Sequence, residues 1–160
     1  MLAASRLLPV AALLALLSAC APAAPPAVDP TPIRAVSLEW KHAYNAGDAA
    51  AVTALYAADA VLSAPGEPVV QGAAAISDYF AKKVKEFSGL GLTVTDQPLG
   101  EVVASGDMAW QWQTYRVSDK SGALVDSGKL VTLFQRRGGR WLIAGDTWNS
   151  DTARPPAASQ

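Results

Sequence analysis

Met108-Ala109-Trp110-Gln111-Trp112-Gln113-Thr114-Tyr115-Arg116-Val117 repeats its residue character every second position, the period of a strand and not of a helix. Trp110, Trp112, Thr114 and Arg116 share one side; Gln111, Gln113 and Tyr115 share the other. Downstream the same period continues over Ala123–Arg136, where Leu130, Thr132 and Phe134 alternate with Val131, Leu133 and Gln135. It continues again over Arg140–Trp148, where Leu142, Ala144, Asp146 and Trp148 alternate with Trp141, Ile143 and Gly145. Upstream it reaches back through Leu90–Val103. The separators Ser105-Gly106-Asp107, Asp119-Lys120-Ser121-Gly122 and Gly138-Gly139 are turn chemistry, so four strands in an antiparallel meander are predicted. Both faces carry large apolar residues. One is expected to cover helices, and the other, with Tyr115, Val131, Leu133, Trp141 and Ile143, to meet a second copy in a homodimer.

Before Leu90 the period lengthens. Ile33, Val36, Trp40 and Ala43/Tyr44 follow helical spacing, and Asn45-Ala46-Gly47-Asp48 closes that helix. Gly47 suits a left-handed C-terminal turn, and Asp48 suits the N-cap of a short second helix burying Val52, Leu55 and Tyr56. Ala60-Val61-Leu62 reads as a brief strand, and Ala64-Pro65-Gly66-Glu67-Pro68 as a turn. A third helix follows Gly72, with Ile76, Tyr79/Phe80, Val84 and Phe87 at three-to-four spacing. Helices first and a meander afterwards define an α+β domain.

The chain ends read differently. Arg6 is the only charge before the apolar run Val10 to Leu17, which is too short to span a bilayer. Leu17-Ser18-Ala19-Cys20 resembles the lipobox of bacterial lipoproteins, which implies removal of residues 1–19 and lipidation of Cys20. Residues 20–32, rich in proline and alanine, are expected to tether a domain over residues 33–151, followed by a disordered tail over 152–160. The expected location is the cell envelope, with the membrane contacted through the lipid. In an envelope of two membranes, Ala21 after the cysteine points to the outer one, facing the periplasm.

Cys20 is the only cysteine, so no internal disulfide can form and the core must carry the stability. The formal net charge is −1, and losing Arg6 with residues 1–19 moves it to −2, no footprint for nucleic acid. His42, the only histidine, has no Cys, His or Asp cluster beside it, so no metal site is expected. No phosphate-cradling glycine loop and no serine elbow occur, and no cofactor is implied.

Ala43-Tyr44-Asn45-Ala46-Gly47-Asp48, Ala54-Leu55-Tyr56-Ala57-Ala58-Asp59-Ala60 and Gly72-Ala73-Ala74-Ala75-Ile76 resemble the opening of nuclear transport factor 2-like domains. The closing Gly139-Arg140-Trp141-Leu142-Ile143 and Asp146-Thr147-Trp148-Asn149-Ser150-Asp151 are similar to its SnoaL-like and ketosteroid-isomerase-like branch. The resemblance spans Ile33 to Asp151. It implies a cone: a strongly curved, mainly antiparallel sheet wrapped around three N-terminal helices, with an apolar cavity between. Such domains serve as isomerases, cyclases, dehydratases and binding modules, so the fold does not settle function. The ketosteroid isomerases' carboxylate base falls at Ala64, and their two oxyanion donors fall by spacing at Trp40 and Thr132. None of the three groups is kept, which argues against that reaction.

The resemblance turns Asp146 into the cone, where desolvation would raise its pKa unless a cation such as Arg116 pairs with it. Asp146 is therefore the candidate acid or base. Trp40, Tyr44, Trp112, Arg116, Thr132, Phe134 and Trp148 are the candidate ligand-binding residues, and Trp110 joins the expected aromatic lining. Three functions are open to such a chain. The foremost is an envelope lipoprotein that binds a small hydrophobic molecule. The others are an isomerase, cyclase or dehydratase using Asp146, and an interaction module whose cavity is filled by its own side chains.

Overall fold

The computed structural model describes residues 27–152; Cys20, the lipobox, the tether as far as Pro26 and the tail from Ala153 lie outside the described residues. Helix α1 (Thr31–Ala46) takes Pro32 into its first turn, where the missing N–H has no helical partner to lose. It buries Ile33 and Val36 and lays Trp40 and Tyr44 along the same side. Gly47, at φ +79°, closes it, and the Asp48 carboxylate accepts from Ala51 N at 2.9 Å to start α2 (Ala49–Thr53). α2 ends sooner than helical spacing predicts. Leu55 O already accepts from Ile143 N at 2.8 Å, so the sheet recruits this backbone and Tyr56 opens strand β1 (Tyr56–Ser63).

A short β2 (Val70–Gln71) pairs with β1, and α3 (Ala73–Gly89) then buries Ile76, Phe80 and Val84. The predicted strand Leu90–Val103 is broken into β3 (Thr93–Pro98) and β4 (Val103–Ser105). Gly100, at φ +83°, bends the chain between them, and both pieces pair with the same edge of β5 (Met108–Ser118). β6 (Leu124–Arg137) and β7 (Arg140–Ser150) complete a sheet of order β2-β1-β7-β6-β5-β3. The β1–β7 pairing is parallel and the rest antiparallel, so the sheet is mixed, curved and unclosed around the helices. Asn45 ties α1 to the edge: its amide donates to Val94 O at 2.9 Å and its carbonyl accepts from Val94 N at 2.8 Å. That pairing occupies backbone groups that an edge strand otherwise leaves free.

The register decides what the sheet shows to the helices. Gln111, Thr132 and Asp146 stand side by side, as do Gln113, Leu130 and Trp148, and these rows face inward. The outer rows are Trp110–Leu133–Gly145 and Trp112–Val131–Thr147. The polarity of β5 is therefore the reverse of the expected one: its glutamines and Tyr115 are inside, and Trp110, Trp112 and Arg116 are outside. In β7, Ile143 pairs with Phe134 and Gly145 with Leu133, so Ala144 is an extra residue. This bulge brings Ile143 and Asp146 onto one face, which strict alternation forbids. Gly128 meets a separate constraint, since a Cβ there would lie 1.9 Å from Asn149 O and 2.6 Å from the Tyr115 ring. Glycine leaves room for that ring.

The expected dimer face changes composition accordingly. Tyr115 and Ile143 line the interior and Trp141 joins the core, leaving Val131 and Leu133 outside. Trp110, Trp112 and Val103 join them, with Trp112 52% exposed. Val103, Trp110, Leu133, Gly145 and Val61 form one uncharged row across five strands. We propose that a second copy of the chain covers this face, because a two-fold partner meets no like charge along such a row. Burial there returns about 25 cal/mol per Å² of apolar area. Sedimentation of residues 27–152 at tens of micromolar is expected to give a dimer, and Trp112→Glu a monomer with unchanged circular dichroism. A wild-type monomer at that concentration refutes the proposal.

Candidate functional site

Between α1, α3 and the inner sheet face lies a cavity of about 250 Å³. α1 supplies Trp40 and Tyr44, whose rings stack with centroids 4.7 Å apart; α3 supplies Tyr79, Phe80 and Phe87, and β7 supplies Trp148. Helical spacing puts the α1 and α3 aromatics on facing stripes, so the walls are built by the same periodicity that builds the core. The cavity is not filled by side chains.

Asp146 sits in this wall at 8% exposure, beside Thr132 on β6. Its Oδ2 accepts from Tyr56 Oη at 2.9 Å, and its Oδ1 accepts from Thr132 Oγ1 at 3.3 Å. Tyr56 Oη in turn accepts from Trp40 Nε1 at 3.1 Å. Burial pushes the Asp146 carboxyl up to about 6, against the pull of the Tyr56 and Thr132 hydrogen bonds. Burial first, and then the Asp146 charge, hold the Tyr56 phenol well above its ordinary 10.0, so it stays a donor. The tighter contact, from Tyr56, is on Oδ2, and Oδ1 has only the longer one from Thr132.

Two further carboxylates face the cavity. Asp96 on β3 is ion-paired with Lys41 of α1 at 2.5 Å and accepts from Gln113 Nε2 at 2.7 Å. Asp126 on β6 accepts from Tyr115 Oη at 3.0 Å, Ser150 Oγ at 2.5 Å and Thr152 Oγ1 at 2.9 Å. Burial works against its ionisation, but the Ser150, Thr152 and Tyr115 hydrogen bonds outweigh it and hold the carboxyl below its ordinary 3.8. Among the described residues, no group of three His, Cys, Asp or Glu side chains is placed to hold a metal ion.

Of the residues expected from sequence, Trp40, Tyr44, Thr132, Asp146 and Trp148 do meet at the cavity. Phe134 faces inward but is fully buried in the core beneath it. Trp112 and Arg116 are exposed on the opposite face, so the Asp146–Arg116 pair does not exist. The reason is the reversed polarity of β5. Sequence reading missed Tyr56, Lys41, Asp96, Gln113, Tyr115 and Asp126. The available signal was the polar half of the β5 alternation, which a preference for burying tryptophan overrode.

With this geometry in view, the comparisons are decisive for family. Residues 38–143 match the model of the SnoaL-like domain. The chain belongs to the SnoaL-like family. No curated protein matches it significantly in sequence. Among solved structures, an NTF2-like protein with a cystatin-like fold from Novosphingobium aromaticivorans superposes with TM-score 0.70 at 21% identity, covering 90% of this chain and 89% of that one. A ketosteroid isomerase-like protein from Erwinia carotovora atroseptica gives 0.63 at 23%, covering 77% and 96%. A protein of the NTF2-like family from Streptomyces avermitilis, described as a candidate dehydratase, gives 0.63 at 17%, covering 77% and 96%. At these identities the likeness establishes the NTF2-like fold alone. The SnoaL-like match ends at Ile143, so Asp146 and Trp148 lie beyond it.

The pKa of Asp146 has a consequence for stability. Its folded value, about 6, is raised above the ordinary 3.8, so between those values the folded state holds a proton that the unfolded state has lost. Stability from this group is full below about pH 4 and falls as pH rises through 6, by about 3 kcal/mol in total. Asp146→Asn lacks that loss. Urea unfolding of both proteins is expected to show the variant gaining on the parent by about that amount across this window, and a pH-independent difference would contradict the assignment.

Proposed function

We propose that this domain binds a small, flat, largely apolar molecule in the cavity and that Asp146 exchanges a proton with it, in a reaction of isomerase, cyclase or dehydratase type. The carrying observation is a buried carboxyl with no cation beside it among the described residues, in an aromatic-lined cavity. A carboxyl in such a place costs stability that an apolar side chain would not, and perturbed acids in clefts mark functional sites. A value of about 6 suits a group that must both take and return a proton near neutrality. As base, Asp146 Oδ1 accepts a proton from a ligand C–H; as acid, it returns that proton to another atom of the same ligand. Tyr56 holds Oδ2 throughout and fixes the direction in which Oδ1 points.

The ligand is to be identified by native mass spectrometry of protein from its own host and then incubated with the domain in deuterated water. Deuterium uptake into the ligand is expected to slow about 100-fold or more in Asp146→Asn. Tryptophan fluorescence should report retained binding in that variant and weakened binding in Trp148→Ala. Binding without uptake in the parent protein would leave a binding domain and remove the acid–base role.

The location belongs to the same reading. Leu17-Ser18-Ala19-Cys20 supports export and lipid anchoring in the envelope, with the Pro/Ala-rich segment as a tether. Palmitate labelling is expected in the full chain and absent in Cys20→Ser, because the thiol is the acyl acceptor. Equal labelling of both would refute the anchor.

A further inference from the structure

We infer that the cavity's ligand is a hydrophobic monocation, an aryl or alkyl amine protonated at neutral pH, and that carboxylate-bearing molecules are refused. This rests on the reading of the cavity as a ligand site and adds the charge of what enters it.

The charged groups facing the cavity come from four elements. α1 contributes the ammonium of Lys41; β3, β6 and β7 contribute the carboxylates Asp96, Asp126 and Asp146. α3 contributes only Tyr79, Phe80 and Phe87, and β5 contributes Gln113, Tyr115 and Val117. Lys41 is matched to Asp96 at 2.5 Å, and Gln113 fixes the second oxygen of that carboxylate. Among the described residues the other two carboxylates have no cationic partner: Tyr56 and Thr132 donate to Asp146, and Tyr115, Ser150 and Thr152, with the Ser127 backbone, to Asp126. Hydroxyl donors stabilise a negative charge without cancelling it. Asp126 stays ionised at neutral pH, and Asp146 is ionised above about pH 6. Desolvation keeps the Tyr44, Tyr56, Tyr79 and Tyr115 phenols neutral throughout.

An aromatic-lined volume with uncancelled negative charge is complementary to an ammonium on a flat apolar body. The aromatic walls, with Trp40, Tyr44 and Trp148 among them, suit a cation on an apolar body, while the carboxylates attract the charge directly. A ligand carboxylate would meet like charge and find no free cation among the described residues. The same absence bears on the chemistry. Among the described residues the cavity offers no unpaired ammonium or guanidinium to an oxyanion growing on a substrate, whereas a ligand with its own positive charge brings its electron sink with it.

The test uses three probes of one skeleton, namely naphthylmethylamine, naphthylmethanol and naphthoate, with affinities measured by calorimetry on residues 27–152. The amine is expected to bind at least roughly tenfold more tightly than the alcohol, and naphthoate not measurably. Asp126→Asn should shrink the amine's advantage over the alcohol about threefold or more and leave the alcohol unchanged. Should that variant fail to fold, the unaltered protein gives the same answer: the amine's advantage is expected to shrink as pH falls below about 6 and Asp146 takes up its proton. An alcohol that binds as well as the amine, or a naphthoate that binds best, overturns the charge inference and leaves the ligand site standing. Failure of all three probes to bind overturns the ligand site itself.

Discussion

The hydrogen bond from Tyr56 Oη to Asp146 Oδ2 joins the first residue of β1 to the middle of β7, and Trp40 Nε1 extends it to α1. One short polar chain thus ties together the helix that walls the cavity and two strands at its base. It sits among Phe80, Ile143 and Leu62, where only Thr132 offers the carboxyl a second donor. The local dielectric makes the bond strong and makes any unpaired oxygen expensive. Remove the phenol and the carboxyl is buried with only the Thr132 contact at 3.3 Å. The network therefore fixes two properties together: how closely α1 approaches the sheet, and where an ionisable oxygen faces the cavity.

Its geometry depends on a bulge that leaves little trace in the sequence. Trp141-Leu142-Ile143-Ala144-Gly145-Asp146 alternates without a visible break, and a reader keeping that alternation places Ile143 and Asp146 on opposite faces. The extra residue Ala144 lets both point inward. Gly145 supplies the local reason, since the Leu133 side chain lies over it and a Cβ there would come within 3.0 Å of Leu133 Cδ1. Small residues at 144 and 145 are the only written sign of the bulge, and they also fit an ordinary strand. The helices, by contrast, were legible. Ile33/Val36/Trp40 and Ile76/Phe80/Val84 obey a period that packing did not override, and Gly47-Asp48 carries both cap chemistries in two residues.

The inversion of β5 has a different cause. Period two reveals that two faces exist but not which one is buried. Trp110 and Trp112 look like core, and Gln111 and Gln113 like surface. The register reverses this because Ala109 must oppose Phe134 in the core, and every second residue follows it. Gln113 then meets Asp96, and Tyr115 meets Asp126, so the polar residues drawn inside find polar partners. The tryptophans turned outward supply the apolar face across five strands. A single residue's packing thus set both the chemistry of the interior and the character of the exterior.

The vacancies at the isomerase-like positions take on a new sense in this light. By spacing, Trp40 and Thr132 occupy the places from which related isomerases direct hydrogen bonds at a substrate oxygen. Here the same two residues direct theirs, through Tyr56 and directly, at the protein's own Asp146. The corner of the cone still concentrates donors on one oxygen-bearing group, but that group now belongs to the chain and carries the charge. The pocket itself holds a carboxyl where its donors converge. Donors spent on Asp146 cannot serve a ligand oxyanion, and a site so arranged favours a substrate that arrives neutral or positive.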